Sequence, residues 1–440
     1  MGDSPLIQTG FGRVNNIATK RFQEEGWEVA SVAGLTTEPP QDDKGIRFYV
    51  PSSPSDVLGI GDINDAVLDF KPDVAYMTAD PGSVTALAYG LPDMPAFAYI
   101  PVEGEPVANR DWRLVFRTIP LVACTKYGSD LIRQTVNRQV PYIYHGVDHD
   151  IFRVTGVRDD VRKMMKWEDK FVITCVSTNV RRKQIPRLMQ AVSSLIHHYK
   201  QDDIILYLHT IPFQNYWLEG WNLMEVASAV GIEKETFFHP FMVKRGSSIP
   251  ERTGELRNPG LADLIEGSDL FVLPSQVEGF GLPIAEAMAC GVPVLVTKYA
   301  AGWEVASPAG RGIPIGDWEV HKSGTFYANV SVDGLAKEIL RLKRNPKELA
   351  RMSESGLRRA QDFQWSSFTE SLIQNVESAI DAHQISGTEK ERKDSWHEEA
   401  PQEEVSLREG EGEEGAEGSA DISEGKSENL LGAIKAYTNQ

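Results

Sequence analysis

Between Pro274 and Thr297 the chain reads PSQVEGFGLPIAEAMACGVPVLVT, its densest run of residues able to hold a ligand. A buried-strand pattern, DLFVLPS, runs into a glycine loop. A helix then begins with Pro283 in its first turn, where a missing N–H costs little. Gly279 and Gly281 let backbone approach a ligand; with Phe280, Leu282 and Pro283 they lead into a helix start whose N–H groups lack partners. Such a start suits an anion, phosphate in particular. Glu278 in the loop and Glu286 in the first turn of the helix flank it, and carboxylates repel phosphate. Their partners must instead be donors, and an ionised carboxylate accepts O–H bonds well. A molecule carrying both a diphosphate and hydroxyl-bearing rings, such as a nucleotide sugar, meets both demands. The bland alternative is a capping loop with surface carboxylates.

Three other segments could contribute. NVRRKQIPRLMQA, residues 179–191, sets Arg181, Arg182 and Lys183 ahead of a helix, where they offer charge and donors to a diphosphate. A solvated surface charge is the alternative for Lys183. TGFGRV places Gly10 and Gly12 before a helix, a pattern that a simple turn explains equally well. Glu103, in FAYIPVEGEPVANRDW, stands where a polar group could reach a cleft, with a surface turn as the alternative.

The string EGFGLPIAEAMACGVPV at a strand end resembles the signature of the retaining GT-B glycosyltransferases of family 4. That signature has two glutamates separated by seven residues, here Glu278 and Glu286, around a glycine–proline loop. The resemblance implies that Glu278 contacts the transferred sugar and Glu286 holds the nucleotide ribose. It implies that Lys183, with Arg181 or Arg182, neutralises the donor diphosphate, and that Gly10 and Gly12 face the reacting sugar. HGVDHDIF, residues 145–152, resembles the family's interdomain turn, which makes His145 part of a hinge. Trp365, in DFQWSSF, resembles the point where the last helix crosses back to the first domain. Ala300, Ala301, Gly302 and Glu304 match a loop near the donor, although Glu304 is equally a dipole-favoured residue at a helix start. The chain departs from the pattern in three places. Thr178 and Ser177 occupy the positions where an arginine usually precedes the lysine. No histidine occurs before His145, whereas many relatives carry one after the fourth strand; Glu103 stands near that place. Only nine residues precede Gly10, little for a buried central strand.

The elements that must position these residues alternate between two periods. β-rich runs at 27–35, 73–79, 94–100, 120–125, 171–177, 203–210, 269–275 and 292–297 are separated by helical patterns such as RVNNIATKRFQEEG, QIPRLMQAVSSLIHHY and DGLAKEILRLKRN. Strands alternating with helices imply parallel sheets covered on both faces. The expected fold is α/β, GT-B, with two Rossmann-like doubly wound domains facing across a cleft. Residues 1–155 form the N-terminal acceptor domain and 156–364 the nucleotide-sugar domain. Residues 365–385 form the returning helix and 386–440 a disordered acidic tail.

Charge supports that division. The 440 residues include 45 basic and 63 acidic side chains, a net of −18. Residues 386–440 hold 15 acidic and 6 basic side chains, so −9 of that net lies in the last 55 residues. That stretch has too few large apolar side chains to offset the entropy of ordering. An acidic chain is a poor general nucleic-acid binder. No apolar run is long enough to span a bilayer, and no secretory signal opens the chain. Three scattered cysteines suggest no disulfide framework or zinc site, consistent with a cytoplasmic protein. Asp148 and Asp150 form a D-x-D that reads as turn capping rather than a metal site. His197, His198, His209 and His239 read as ordinary hydrogen-bonded histidines.

The expected activity is transfer of a sugar from a nucleotide-sugar donor, with retention and without a metal or other cofactor. The acceptor is open among glycan, lipid-linked sugar, protein or other classes, and peripheral membrane contact is open too. The alternative is a non-catalytic nucleotide-sugar or protein-binding module whose acidic tail recruits a basic partner. A dinucleotide-binding reading of Gly10 and Gly12 fails, because Asn15 stands where G-x-G-x-x-G needs its third glycine.

Overall fold

The computed structural model describes residues 1–386 apart from 8, 37–43, 54, 215–218 and 239–259. Met1–Gly387 form one compact unit. The expected tail therefore lies outside the described residues, except that Ser386 ends the last helix.

Two parallel six-stranded sheets carry the fold. The first contains β1 Gly2–Asp3, β2 Val29–Gly34, β3 Ile46–Tyr49, β4 Ala75–Thr78, β5 Ala96–Ile100 and β6 Leu121–Ala123. The second contains β7 Phe171–Val176, β8 Ile204–His209, β9 Thr236–Phe238, β10 Leu270–Leu273, β11 Val294–Thr297 and β12 Arg311–Ile313. Each sheet runs outward from its first strand in both directions: β3-β2-β1-β4-β5-β6 and β12-β11-β10-β7-β8-β9. This doubly wound order opens a crevice at the C-terminal ends of the two strands where it reverses. Those pairs are β1/β4 and β7/β10. An antiparallel hairpin, β13 Ile315–Val320 and β14 Phe326–Val330, follows the second sheet.

The central strand of the first sheet is present but stunted. Gly2 and Asp3 pair with Ala33 and Gly34 of β2, Gly2 pairs with Thr78 of β4, and the Met1 nitrogen donates to the Tyr76 carbonyl. Two residues suffice because backbone ladders on both sides hold them. The helix Gly10–Glu24 follows, buried through Val14, Ala18 and Phe22. It starts earlier than its apolar spacing suggested: Thr9 caps it by accepting from the Gly12 amide at 2.9 Å, so Gly10 and Gly12 lie in its first turn rather than ahead of it.

β7, FVITCV, is buried along its whole length, as expected for a strand covered on both faces. β3, β9, β12 and the hairpin were not expected, and each is short or carries polar residues at alternate positions. The helix Trp365–Ser386 returns to the first sheet and packs on the helix Gly10–Glu24 and on β5. Gly146 permits the crossing, since a Cβ there would lie 2.3 Å from the Trp365 nitrogen. One apolar core therefore runs from Val14 and Tyr99 through Phe363 and Phe368 into the second sheet. A second core, including Met77, Leu87 and Phe116, lies within the first half. Cys124, Cys175 and Cys290 are buried and form no disulfide.

Candidate functional site

A cleft of about 1860 Å³ lies between the two sheets, and it is lined from both. Its chemistry concentrates at the switch point of the second sheet. The loop after β7 carries Arg181, Arg182 and Lys183 in one 3-10 turn; the loop after β10 carries Glu278. Strand order alone makes the two loops neighbours.

Hydrogen bonds fix their register. The Gln276 amide donates to the Arg182 carbonyl at 2.7 Å, and the Arg182 guanidinium donates to the Val277 carbonyl at 3.1 Å. Gln276 also donates to Asn329 of the hairpin at 2.8 Å, and Val330 N–H donates to the Gln184 side chain at 3.0 Å. The hairpin thus clamps both loops and brings Glu319 and Tyr327 to the cleft.

Lys183 Nζ lies 2.5 Å from Glu278 Oε1, and an Arg182 nitrogen lies 3.5 Å from Glu278 Oε2. Arg182 also reaches Glu103 at 3.4 Å, from the loop after β5. The side chains of Lys183 and Glu278 are only 12% and 9% exposed. Burial pushes the Glu278 carboxyl up, but Lys183 and Arg182 outweigh it and hold the group below its usual value. Burial likewise pulls Arg182 down, and Glu103 with Glu278 more than restores it, so its net shift is upward. Arg181 sits at the rim, paired with Glu319 at 2.7 Å. Of the two arginines, Arg182 is the one beside Glu278.

Gly281 adopts φ +90°, a conformation that favours glycine, and starts the helix Leu282–Ala289 with Pro283 in its first turn. No side chain caps this start. Gly279 is required by contact: a Cβ there would lie 2.4 Å from Cβ of Pro101, which follows β5. Its carbonyl accepts from the Cys124 thiol at 3.0 Å. Phe280 turns inward, with its ring 4.6 Å from His145 and 5.5 Å from Phe363, so it mainly joins the two halves while bordering the cleft. His145 bonds the Tyr99 hydroxyl at 2.9 Å, and burial lowers its pKa to about 3.

Glu286 is the fifth residue of its helix, one position beyond the expected first turn, and its side chain is 4% exposed. It forms an ion pair with Arg13 of the helix Gly10–Glu24, across the cleft. Gly10 borders the cleft. Gly12 is not among the lining residues; a Cβ there would meet the Ile7 carbonyl at 2.3 Å, so it lets the loop pack on the helix. The structure therefore gathers Glu278, Lys183, Arg182, Glu103, Glu286, Gly279, Phe280, Gly281, Leu282, Pro283, Arg181 and Gly10 at one cleft, and leaves Gly12 behind it.

Arg13 was missed in the sequence. Its only signal is a cation directly after the glycine pair, and its partner lies 273 positions away. Glu304 is a dipole residue, but for another helix: it accepts from the Lys126 N–H at 2.9 Å, the Tyr127 N–H and the Tyr144 hydroxyl, capping the helix Lys126–Val136 in the first half. Asp148 accepts from the Asp150 and Ile151 amides, which makes D-x-D a turn. Among the described residues no three His, Cys, Asp or Glu side chains group as metal ligands. His197 bonds the Gly231 carbonyl, and His209 borders the cleft while bonding the Tyr207 hydroxyl. His239 lies outside the described residues. No helix among the described residues is long and apolar enough to cross a membrane.

Two doubly wound parallel sheets facing across a charged cleft, with the last helix returning to the first, define a protein of the GT-B fold. Residues 253–359 match the family described as glycosyl transferases group 1. The chain is 32% identical over 135 residues to MMP alpha-(1->4)-mannosyltransferase of Mycolicibacterium hassiacum, covering 30% of each protein. It is 29% identical over 390 residues to the D-inositol 3-phosphate glycosyltransferase of Rhodococcus erythropolis, covering 86% of this chain and 80% of the relative. Two further D-inositol 3-phosphate glycosyltransferases are matched over only 52% and 57% of their lengths. Among solved structures, Anabaena HepE in complex with UDP and glucose superposes with a TM-score of 0.61 at 15% identity, covering 84% of this chain and 96% of that one.

Proposed function

We propose that this protein transfers a sugar from a nucleotide-sugar donor to an acceptor entering from the first half, with retention of configuration and without a metal. The observation that carries this reading is the buried Lys183–Glu278 pair at the switch point, beside the uncapped start of the helix Leu282–Ala289. The names of the relatives, and the UDP and glucose in the HepE structure, agree with a nucleotide-sugar donor. Lys183, Arg182 and the helix start would stabilise charge building on the leaving diphosphate. Glu278 would orient the transferred sugar through its hydroxyls, and Glu286 would hold the ribose. Glu103, tied to Arg182, reaches the same space from the first half. Closure of the two halves would align the substrates and exclude water.

The non-catalytic alternative drew on the seemingly missing first strand and the missing histidine. The strand is in place between β2 and β4, and Glu103 occupies the cleft on the side where the histidine was expected. Its other element, the acidic tail, lies outside the described residues. The test is transfer of the donor sugar to water, with the anomer of the released sugar read by NMR before it mutarotates. Release in the donor's own configuration is expected, with Glu278→Ala lowering turnover and Glu286→Ala mainly weakening donor affinity. The opposite anomer, or equal mild effects from both changes, would contradict the assignment.

A further inference from the structure

The cations at the heart of the cleft are already engaged. Lys183 pairs with Glu278, Arg182 with Glu278 and Glu103, and Arg13 with Glu286. Three positive charges therefore meet three carboxylates, and the cluster is neutral as it stands. Beside the helix start and the other lining lysines, this cluster offers a diphosphate positive charge when an existing pair exchanges partners. Lys183 and Arg182 are held in one turn by backbone bonds and share the buried Glu278. Arg13 is held differently: its side chain is 36% exposed, and its ion pair with Glu286 crosses to the opposite half.

We infer, on the basis of the proposed donor site, that Arg13 is a donor-binding residue that changes partner as the donor enters. The ribose hydroxyls take the nearly buried Glu286 carboxylate, and the released guanidinium moves to the donor diphosphate. Glu286 belongs to the same helix whose start borders the loop of Glu278, so the ribose and phosphate positions are adjacent along one short helix. A guanidinium presents a planar set of donors that suits carboxylate and phosphate alike, so the exchange keeps its pairing satisfied. The exchange also gives the donor a contact from the first half of the chain, alongside the cations at the second-sheet switch point. Thr178 and Ser177 stand where relatives were expected to place an arginine, and Arg13 would supply that charge from the opposite wall.

The experiment compares Arg13→Gln with the wild-type full chain by titration calorimetry. The ligands are whichever of UDP, GDP, ADP or dTDP binds, and its bare nucleoside. Arg13 competes with the nucleoside for Glu286 but assists the diphosphate, so Arg13→Gln should weaken the diphosphate without weakening the nucleoside. The expected result is roughly tenfold weaker diphosphate binding, with nucleoside binding unchanged or tighter. Arg13→Lys should recover part of the diphosphate affinity. Tightening of both ligands would show that Arg13 only blocks Glu286, and an unchanged pair of affinities would show that it contributes nothing; either result overturns the inference. Failure of the wild type to bind any of the four nucleotides would instead remove the donor site on which the inference rests. An unchanged unfolding midpoint for Arg13→Gln would exclude loss of folding as the cause.

Discussion

Replacing Lys183 by methionine keeps much of its length and removes its charge, leaving Glu278 buried with Arg182 as its remaining neighbour. Breaking a buried ion pair from one side costs about 3–5 kcal/mol, because the surviving charge is left poorly compensated. Arg182 stays 3.5 Å from Glu278 and the site borders an open cleft, so the low end, about 3 kcal/mol, applies here. An unfolding entropy of roughly 2.1 cal/mol/K per residue gives about 0.8 kcal/mol/K for the Met1–Gly387 unit. The midpoint should therefore fall by about 4 °C at pH 7.5. The sign with pH follows from Glu278, whose folded pKa lies below its unfolded value. Its stabilisation is present above the unfolded value of 4.5 and fades as pH falls through the folded one. The gap between wild type and Lys183→Met should thus narrow in acid, and Lys183→Met/Glu278→Gln should be more stable than Lys183→Met alone. Differential scanning calorimetry between pH 2.5 and pH 8 reads both effects. A midpoint loss under 1 °C, or the same loss at every pH, would refute the account of the pair.

Two substitutions and one titration probe how the two halves are joined. Glu304→Ala removes the acceptor of the Lys126 and Tyr127 amides at the start of the helix Lys126–Val136, where Thr125 still caps Gly128, together with the Tyr144 hydroxyl bond, and should cost about 1–2 kcal/mol in urea unfolding. A change below 0.5 kcal/mol would show that the cap does not matter. Gly279→Ala must push the loop after β10 away from Pro101, and should reduce nucleotide affinity measured by calorimetry even where the fold survives. Unaltered affinity would mean the loop absorbs the methyl without consequence. Burial lowers His145 to about 3, so it should stay neutral from pH 5 to pH 8, and its ring protons should not titrate by NMR in that interval. A midpoint near 6.5 would place it in contact with water.

The eight strands expected from β-branched and aromatic runs all form, because apolar continuity is what a buried parallel strand displays. The strands that escaped notice, and the stunted β1, lack that continuity. β1 has two residues and is held by neighbours that only the folded sheet supplies, and β12, RGI, pairs at the edge of its sheet. The candidate site divides in the same way. Glu278, Glu286 and the glycine loop were legible because a strand, a turn and a helix start follow one another in a single stretch of chain. Lys183 was legible as a cation ahead of a helix, but its partner Glu278 lies 95 positions away and meets it through the strand order. Arg13 is marked only by its place after the glycine pair, and the hairpin residues Glu319 and Tyr327 have no local mark, since their places at the cleft arise from distant segments meeting there. Gly12 and Glu304 carried recognisable local patterns whose physical use differs: one makes room for a loop, and the other caps a helix of the opposite half.

We propose that this cleft binds a nucleotide sugar through Lys183, Glu278 and Glu286. Its most direct test is thermal unfolding of the full chain with UDP, GDP, ADP and dTDP, each alone and as common sugar conjugates. A ligand at 100 times its dissociation constant adds about 2.7 kcal/mol, which for this unit is a rise of about 3 °C. The account predicts that rise with one nucleotide family, and its loss in Glu286→Ala. A cooperative transition that none of these ligands moves would contradict it.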